Sequence, residues 1–600
     1  MIQDNLKPRN QIDDKYKWNI GAIIPDESVI DDELQQLKES AADFNSNFAG
    51  RLTSGSDVLA DAFEQKDEIW RHLERLFVYC HMKRDEDNSN ERYQGFSDKC
   101  SAVIAAVSAS MSFFTPELLS ASKDVILSYI DENPRLETYD FAIRDTLRQK
   151  AHVLTPAEEN ILAQMSEITS ATNDIFTMLN NADMKFAPVT DKAGRELSLT
   201  HGSYIKIMES HDPDLRLQAY NNMYDSYKGL INTIATAYSY NTRTDVVNAR
   251  LRNYSSARAA SLAEDNVPEA VYDNLIDVVN DNLPLLHRYM ALKKRLLGMD
   301  KMGMQDVYVP VIQIPERTVT FEEAVDIIKE ALKPFGDEYV SRMTEGISQG
   351  WIDVYENEGK TSGAYSFGCY DSYPYILLNY ADTLKDVFTL IHEMGHSMHS
   401  SYTRENQPYI YGSHSIFTAE VASTVNESLL MAHLYNTTAD SQMRKYLLNL
   451  HLEEFRTTLF RQTMFAEFEK LTHQAIESGQ VLTAQWMCRT YEELNRKYYG
   501  PAIEEDDTIK YEWARIPHFY NAFYVYKYAT GYSAATALSQ KILTEGRPAA
   551  QQYIEFLKTG ESDYPIELLK RAGVDMSSPE PVRNAMDKFG ELLEELERLV

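Results

Sequence analysis

Apolar residues recur at three- and four-residue steps along most of the 600-residue chain, the period of helices that each bury one stripe. In DESVIDDELQQLKESAADFNSNF the stripe is Val29, Ile30, Leu34, Leu37, Ala41 and Phe44. TPAEENILAQMSEITSATNDIFTMLNN repeats the pattern, with Thr155 as N-cap and Pro156 at the first helical position. Further helices are expected in DPDLRLQAYNNMYDSYKGLINTIATAYSYN, VPEAVYDNLIDVVNDNLPLLHRYMALKKRLL and FEEAVDIIKEALKPFG, and the tail FGELLEELERLV reads as a capping amphipathic helix. The pattern predicts a mainly α protein.

It breaks in three places. Residues 184–208, MKFAPVTDKAGRELSLTHGSYIKIM, set a glycine turn between short β-like runs and predict a small hairpin. Residues 305–320, QDVYVPVIQIPERTVT, are extended and interrupted by proline. In TSGAYSFGCYDSYPYILLNYADTLKDV, Tyr375 to Asn379 should form a strand between Pro374 and a turn at Asp382, with Gly363-Ala364-Tyr365 a candidate second strand. Thr383 and Asp386 then make a capping-box variant that opens a helix through Phe388, Ile391 and Met394.

That helix carries TLIHEMGHSMHS, residues 389–400. His392 and His396 are four apart, so their imidazoles leave one face a turn apart, within reach of one tetrahedral ion. Glu393 beside them completes the H-E-x-x-H arrangement, in which the glutamate takes a proton from water as general base. His399, three residues beyond His396, points around the helix and reads as a bystander. A third ligand is needed, and position 402, where a second downstream histidine could serve, is Tyr402. SIFTAEVASTVNESLLMAHLY supplies a second helix with Ile416, Val421, Val425 and Leu429 on its apolar side. Its Glu420 and Glu427, two turns apart, share a face. One can bind the metal while the other accepts the far N–H of a ligand histidine, Glu420 being the first choice as ligand.

Between His518 and Tyr532 lie one histidine and five tyrosines. Tyr524, Tyr528 and Tyr532 are spaced by one helical turn. Such a stripe is ordinarily core, yet a phenol or imidazole can donate to a tetrahedral oxyanion without adding negative charge.

Composition narrows the partners. Hydrophobic residues make up 44% and charged ones 25%, the usage of a soluble globular protein, and the length suggests two to four domains or lobes. A net charge of -32 argues against nucleic acid or an anionic membrane as partner. The first residues show no apolar core after their charges, and no later run is expected to reach the length of a membrane span. Cys80, Cys100, Cys369 and Cys488 are scattered without a CxxC pair, as reduced thiols are, and a cytoplasmic protein is expected. Cys369 reads as a packed residue. Oligomeric state leaves no mark in the sequence.

HEMGHSMH followed by FTAEVASTVNE resembles the zinc signature of the M3 peptidase family, the thimet oligopeptidase relatives, most strongly from Gly363 to Gly531. The resemblance implies a two-lobed helical metallopeptidase of the zincin type, with a small β-sheet beside the active-site helix and a deep central channel. It implies one Zn2+ per chain on His392, His396 and Glu420, with Glu393 as base and Glu427 orienting a ligand imidazole. His518 and Tyr528, with Tyr524, would stabilise the transition state, although the register of tyrosines departs from that of the thimet enzymes by at least one residue. Gly363, Ala364 and Tyr365 resemble the strand that pairs with substrate backbone. On this reading residues 1–195 are an N-terminal helical domain, 196–350 a helical connecting part and 351–600 the zinc-binding catalytic part. The expected activity is hydrolysis of internal bonds in short unstructured peptides. A dipeptidyl carboxypeptidase on the same scaffold, or a non-catalytic peptide-binding protein with a structural metal, are the alternatives.

Overall fold

The structure, a computed structural model, describes residues 6–313 and 317–600. Helices form where the stripes predict them. Ile30–Phe48 buries Ile30, Leu34, Leu37, Ala41 and Phe44, while Val29 lies ahead of the helix and is exposed. Pro156–Thr169 opens on a reciprocal cap between Thr155 and Glu158. The 39-residue helix Pro213–Leu251 begins at Asp212, whose carboxylate accepts the N–H groups of Asp214 and Leu215. The tail helix Glu580–Leu599 buries Val582, Met586, Phe589, Leu593 and Leu596.

Five short strands occur among the described residues. β1 (Val189–Thr190) and β2 (Glu196–Leu197) form the expected antiparallel hairpin, turning at Gly194, whose φ of +78° suits glycine. The hairpin ends sooner than the sequence suggested. Thr200 and Ser203 cap each other, and His201–Met208 is helical. In the stretch 305–320 the structure has a 3-10 turn at Met304–Asp306, and the expected extension over Ile314, Pro315 and Glu316 lies outside the described residues. β3 (Ile352–Asp353), β4 (Tyr365–Phe367) and β5 (Tyr375–Leu377) form a sheet in the order β3-β5-β4. β3 runs parallel and β4 antiparallel to β5, so β4 is an edge strand.

The expectation that no run is long enough to span a membrane is corrected by Glu91–Ser120, which by length and composition alone would suffice. Its segment Glu91–Met111 has no charge after Lys99 and is rich in alanine, while its serines interrupt any continuous apolar surface. Phe96, Cys100, Val103, Val107 and Met111 occupy one helical face, and that face packs on Ile30–Phe48 and Ser56–Glu86.

The chain forms two compact units, each assembled from three separated stretches. The first comprises Met1–Ala151, Glu316–His433 and Leu538–Gly573. Here the end of helix Ser56–Glu86 is fastened to the approach to β4: Tyr365 Oη donates to Asp85 Oδ2 at 2.9 Å and Asn357 Nδ2 to the Glu86 carbonyl at 3.0 Å. Asp353 on β3, 1% exposed, pairs with Arg9 at 2.6 Å and with Lys360 at 2.7 Å. A buried anion is tolerated there because two cations satisfy it. The second unit comprises His152–Pro315, Leu434–Ala537 and Val574–Val600. Its long helix Pro213–Leu251 buries Tyr220, Tyr224, Tyr227 and Tyr238 beside the helix Arg461–Glu477 and the 3-10 stretch Ile509–Arg515.

Candidate metal centre and the tyrosine cluster

Within the first unit the HExxH helix, Leu384–Asn406, starts as predicted: Thr383 Oγ1 accepts the Asp386 N–H at 3.3 Å and Asp386 Oδ2 accepts the Thr383 N–H at 2.9 Å. The glutamate helix, Ile416–Thr437, packs against it with Val421, Val425 and Leu429 buried, while Ile416 is exposed. The two backbones meet at Gly395, where a Cβ would lie 2.6 Å from Ser423 Cα and 2.8 Å from the Ala422 carbonyl oxygen. Only glycine admits that approach. Asn426, fully buried, ties the same helix further along, donating to Tyr339 Oη at 3.2 Å.

This approach brings two imidazoles and a carboxylate together. His392 Nε2 and His396 Nε2 are 3.2 Å apart, and Glu420 Oε2 is 3.6 Å from the first and 3.9 Å from the second. Donors at bonds of about 2.0–2.1 Å on a tetrahedral ion stand roughly 3.3 Å from one another, so the spacing and the N,N,O donor set fit zinc. His392 Nδ1 lies 3.2 Å from Glu427 Oε1, which directs Nε2 at the cluster. The Ala419 carbonyl accepts from the His396 ring, and Ser423 Oγ donates to Glu420 Oε2 at 3.3 Å. The three ligand candidates are half-buried and within 4.8 Å of one another.

The electrostatics follow from this crowding. Burial opposes a charge on His392, but the Glu427 bond and the charges of Glu427, Glu393 and Glu420 together push it up to about 9. Burial, with His392 and His414 nearby, drops His396 to about 3. Glu393, 8% exposed, is raised to about 7 by burial and by Glu420 and Glu427, against His392. A carboxyl poised near neutrality suits a general base. Glu393 also accepts the Ser366 N–H of β4, and Ser366 Oγ and Ser397 Oγ are 2.8 Å apart, so the edge strand is fixed beside the base.

His399 is outside the metal cluster, as expected. It is 1% exposed and stacks on His414 at 4.1 Å between ring centroids. Cys369 is buried. The expected strand Gly363-Ala364-Tyr365 begins only at Tyr365, because Gly363 has φ +86° and turns the chain into β4. A Cβ at Gly363 would meet nothing within 4 Å, so its conformation, and no close packing, calls for glycine.

His518, Tyr524 and Tyr528 gather in the second unit, with centroids 6.2 Å apart for His518–Tyr524, 6.1 Å for His518–Tyr528 and 5.5 Å for Tyr524–Tyr528. Partial loss of water holds the His518 ring below its usual pKa, which favours the neutral form. The expected helical register needs correcting. Tyr524 precedes the helix Tyr526–Glu545, since Phe523 at φ +56° interrupts it, and Tyr532 packs in the core on Phe455 at 4.9 Å. Tyr526 is fully buried. Sequence reading missed Gly395 and Asn426; a glycine in mid-helix was the one available signal.

A helical fold in which HExxH histidines and a glutamate of the following helix converge beside an edge strand defines a metallopeptidase of the zincin type. The family description "Peptidase family M3" matches residues 206–588 and "Oligopeptidase F" residues 117–186. The chain belongs to peptidase family M3, in its oligopeptidase F subfamily. Oligopeptidase PepF of Bacillus subtilis is 44% identical over 597 residues, covering 100% of this chain and 89% of that one. The oligoendopeptidase F homolog of Lactococcus lactis is 41% identical over 594 residues, 99% of each. The crystal structure of oligoendopeptidase-F from Enterococcus faecium superposes with a TM-score of 0.75 at 39% identity, covering 96% of this chain and 99% of that one.

Proposed function

We propose that the chain is a zinc-dependent endopeptidase that hydrolyses internal bonds of short unstructured oligopeptides, with one Zn2+ on His392, His396 and Glu420. The observation that carries this is the convergence of the three donors, with His392 Nδ1 turned onto Glu427. Zinc held there would supply a Lewis acid that acidifies a water and polarises the scissile carbonyl. Glu393 takes the proton of the attacking water and returns it to the leaving amine. His518 and Tyr528, with Tyr524, donate to the oxyanion as neutral groups. The β4 edge from Tyr365, with Gly363 and Ala364 leading into it, pairs with the substrate backbone, a contact largely blind to side chains and suited to broad specificity. Four buried thiols, none in a disulfide, support a reducing, cytoplasmic setting.

Internally quenched peptides test the reading. Cleavage should stop on chelation and return with one equivalent of zinc. Release of C-terminal dipeptides alone would replace it by a dipeptidyl carboxypeptidase. Retained cleavage by Glu393→Gln with zinc bound would remove Glu393 as base.

A further inference from the structure

Phe523 lies between the 3-10 turn Pro517–Tyr520 and the helix Tyr526–Glu545, with φ +56°. Four non-glycine residues among those described have positive φ. The other three are Asn253, Asn266 and Asp382, of the residue types whose short polar side chains tolerate the left-handed region. An aromatic residue held there needs a restraint from elsewhere. It comes from Glu469 on the helix Arg461–Glu477: the Phe523 N–H donates to Glu469 Oε1 at 3.0 Å, with Glu469 fully buried and Phe523 1% exposed. The Phe523 ring is seated between His473, at 4.4 Å, and Tyr272, at 5.7 Å. Glu469 Oε2 has no hydrogen-bond partner among the described residues, and burial pushes the carboxyl well above its usual range. Burial thus favours the uncharged carboxyl, and its hydrogen bond to the Phe523 N–H ties it to the turn.

We propose that Glu469 is a positioning residue for the His518, Tyr524 and Tyr528 cluster, fixing through the Phe523 N–H the left-handed turn that brings Tyr524 beside Tyr528. Tyr524 follows the restrained residue directly and Tyr528 stands in the first turn of the helix it starts. Without the acceptor, Phe523 relaxes toward negative φ and the rings separate. The inference rests on the catalytic reading of that cluster.

The test uses the full-length, zinc-loaded enzyme. Glu469→Leu should lower kcat at least tenfold with KM and zinc content within twofold of the parent, and should abolish hydrogen-exchange protection of the Phe523 amide. Glu469→Gln keeps a neutral acceptor at the same reach and should restore kcat to within threefold and protection in full. If Glu469→Leu does not fold, Glu469→Asp, one methylene shorter, should give the same losses. In a Tyr528→Phe background the Glu469 substitution should cost much less than in the parent. Unchanged kcat or amide protection in Glu469→Leu, or an equal cost in both backgrounds, overturns the positioning role. Full kcat in both Tyr528→Phe and His518→Ala overturns the catalytic reading of the cluster, and the inference with it.

Discussion

Gly395 and Ser423 touch backbone to backbone: a Cβ on the glycine would lie 2.6 Å from the serine Cα. A mid-helix glycine costs about 1 kcal/mol relative to alanine. Here the cost is offset by the approach of the helix that carries Glu420 and Glu427 toward the one that carries His392 and His396.

Gly395→Ala should therefore damage the metal centre although position 395 touches no ion. The added methyl forces the two helices apart by some tenths of an ångström, and overpacking of this kind costs about 1–3 kcal/mol. Displacing Glu420 and Glu427 together should weaken zinc binding by at least about tenfold. Zinc titration against a competing chelator reads this directly, and parental affinity would show that the helices can part without cost.

The HExxH helix was legible because its signals are local: a capping box at Thr383, the four-residue spacing of His392 and His396, and an apolar stripe. Glu420 and Glu427 could be paired with it because two turns of helix fix their common face. Gly395 was not, since what it avoids is a clash with a residue 28 positions away, and a lone glycine carries no partner's address. The Tyr524 register failed for a similar reason. In YNAFYVY the residue that turns left-handed is Phe523, neither Gly nor Asn, so nothing at that position announces the turn, and the Glu469 acceptor lies 54 residues earlier. The grouping of the chain into two units built of interleaved stretches is likewise a property of packing between distant segments.

Glu427→Ala should separate metal binding from general-base chemistry. His392 Nδ1 loses its 3.2 Å partner, so the ring is free to rotate and Nε2 is no longer directed at the cluster. The expected loss is about 10–100-fold in zinc affinity, with activity recovering at saturating zinc. Glu427→Gln keeps an acceptor oxygen and should lose less. An alanine variant that binds zinc as tightly as the parent would exclude the orienting role.

His399→Ala should leave the metal stoichiometry at one while destabilising the fold. The ring is buried between His414 and Phe556, and its removal leaves a cavity costing roughly 2–5 kcal/mol. Metal analysis of the purified variant beside its denaturation midpoint distinguishes the two effects. Loss of zinc at unchanged stability would mean that His399 belongs to the metal centre after all.

The second unit contains a carboxylate whose protonation should govern its acid stability. Glu512, 2% exposed, accepts from Arg461 at 2.8 Å, from Tyr491 at 2.6 Å and from Arg515 at 3.3 Å. Burial opposes its charge, but Arg461 and Arg515 outweigh it and lower the pKa from 4.5 to about 2. A pKa lower in the folded state means that the unfolded chain binds the proton first. The stabilisation is thus complete above pH 4.5 and is lost as pH falls from there through about 2. Glu512→Gln removes the titration and leaves two buried guanidinium groups without their anion, a cost of about 3–5 kcal/mol at pH 7. The difference in unfolding free energy between parent and variant should hold constant from pH 7 to 5 and shrink below 4.5. Denaturant titrations at a series of pH values give that difference directly, with the other carboxylates cancelling between the two proteins. Curves that stay parallel down to pH 3 would mean that Glu512 keeps its proton affinity on folding and that the arginines do not depend on its charge.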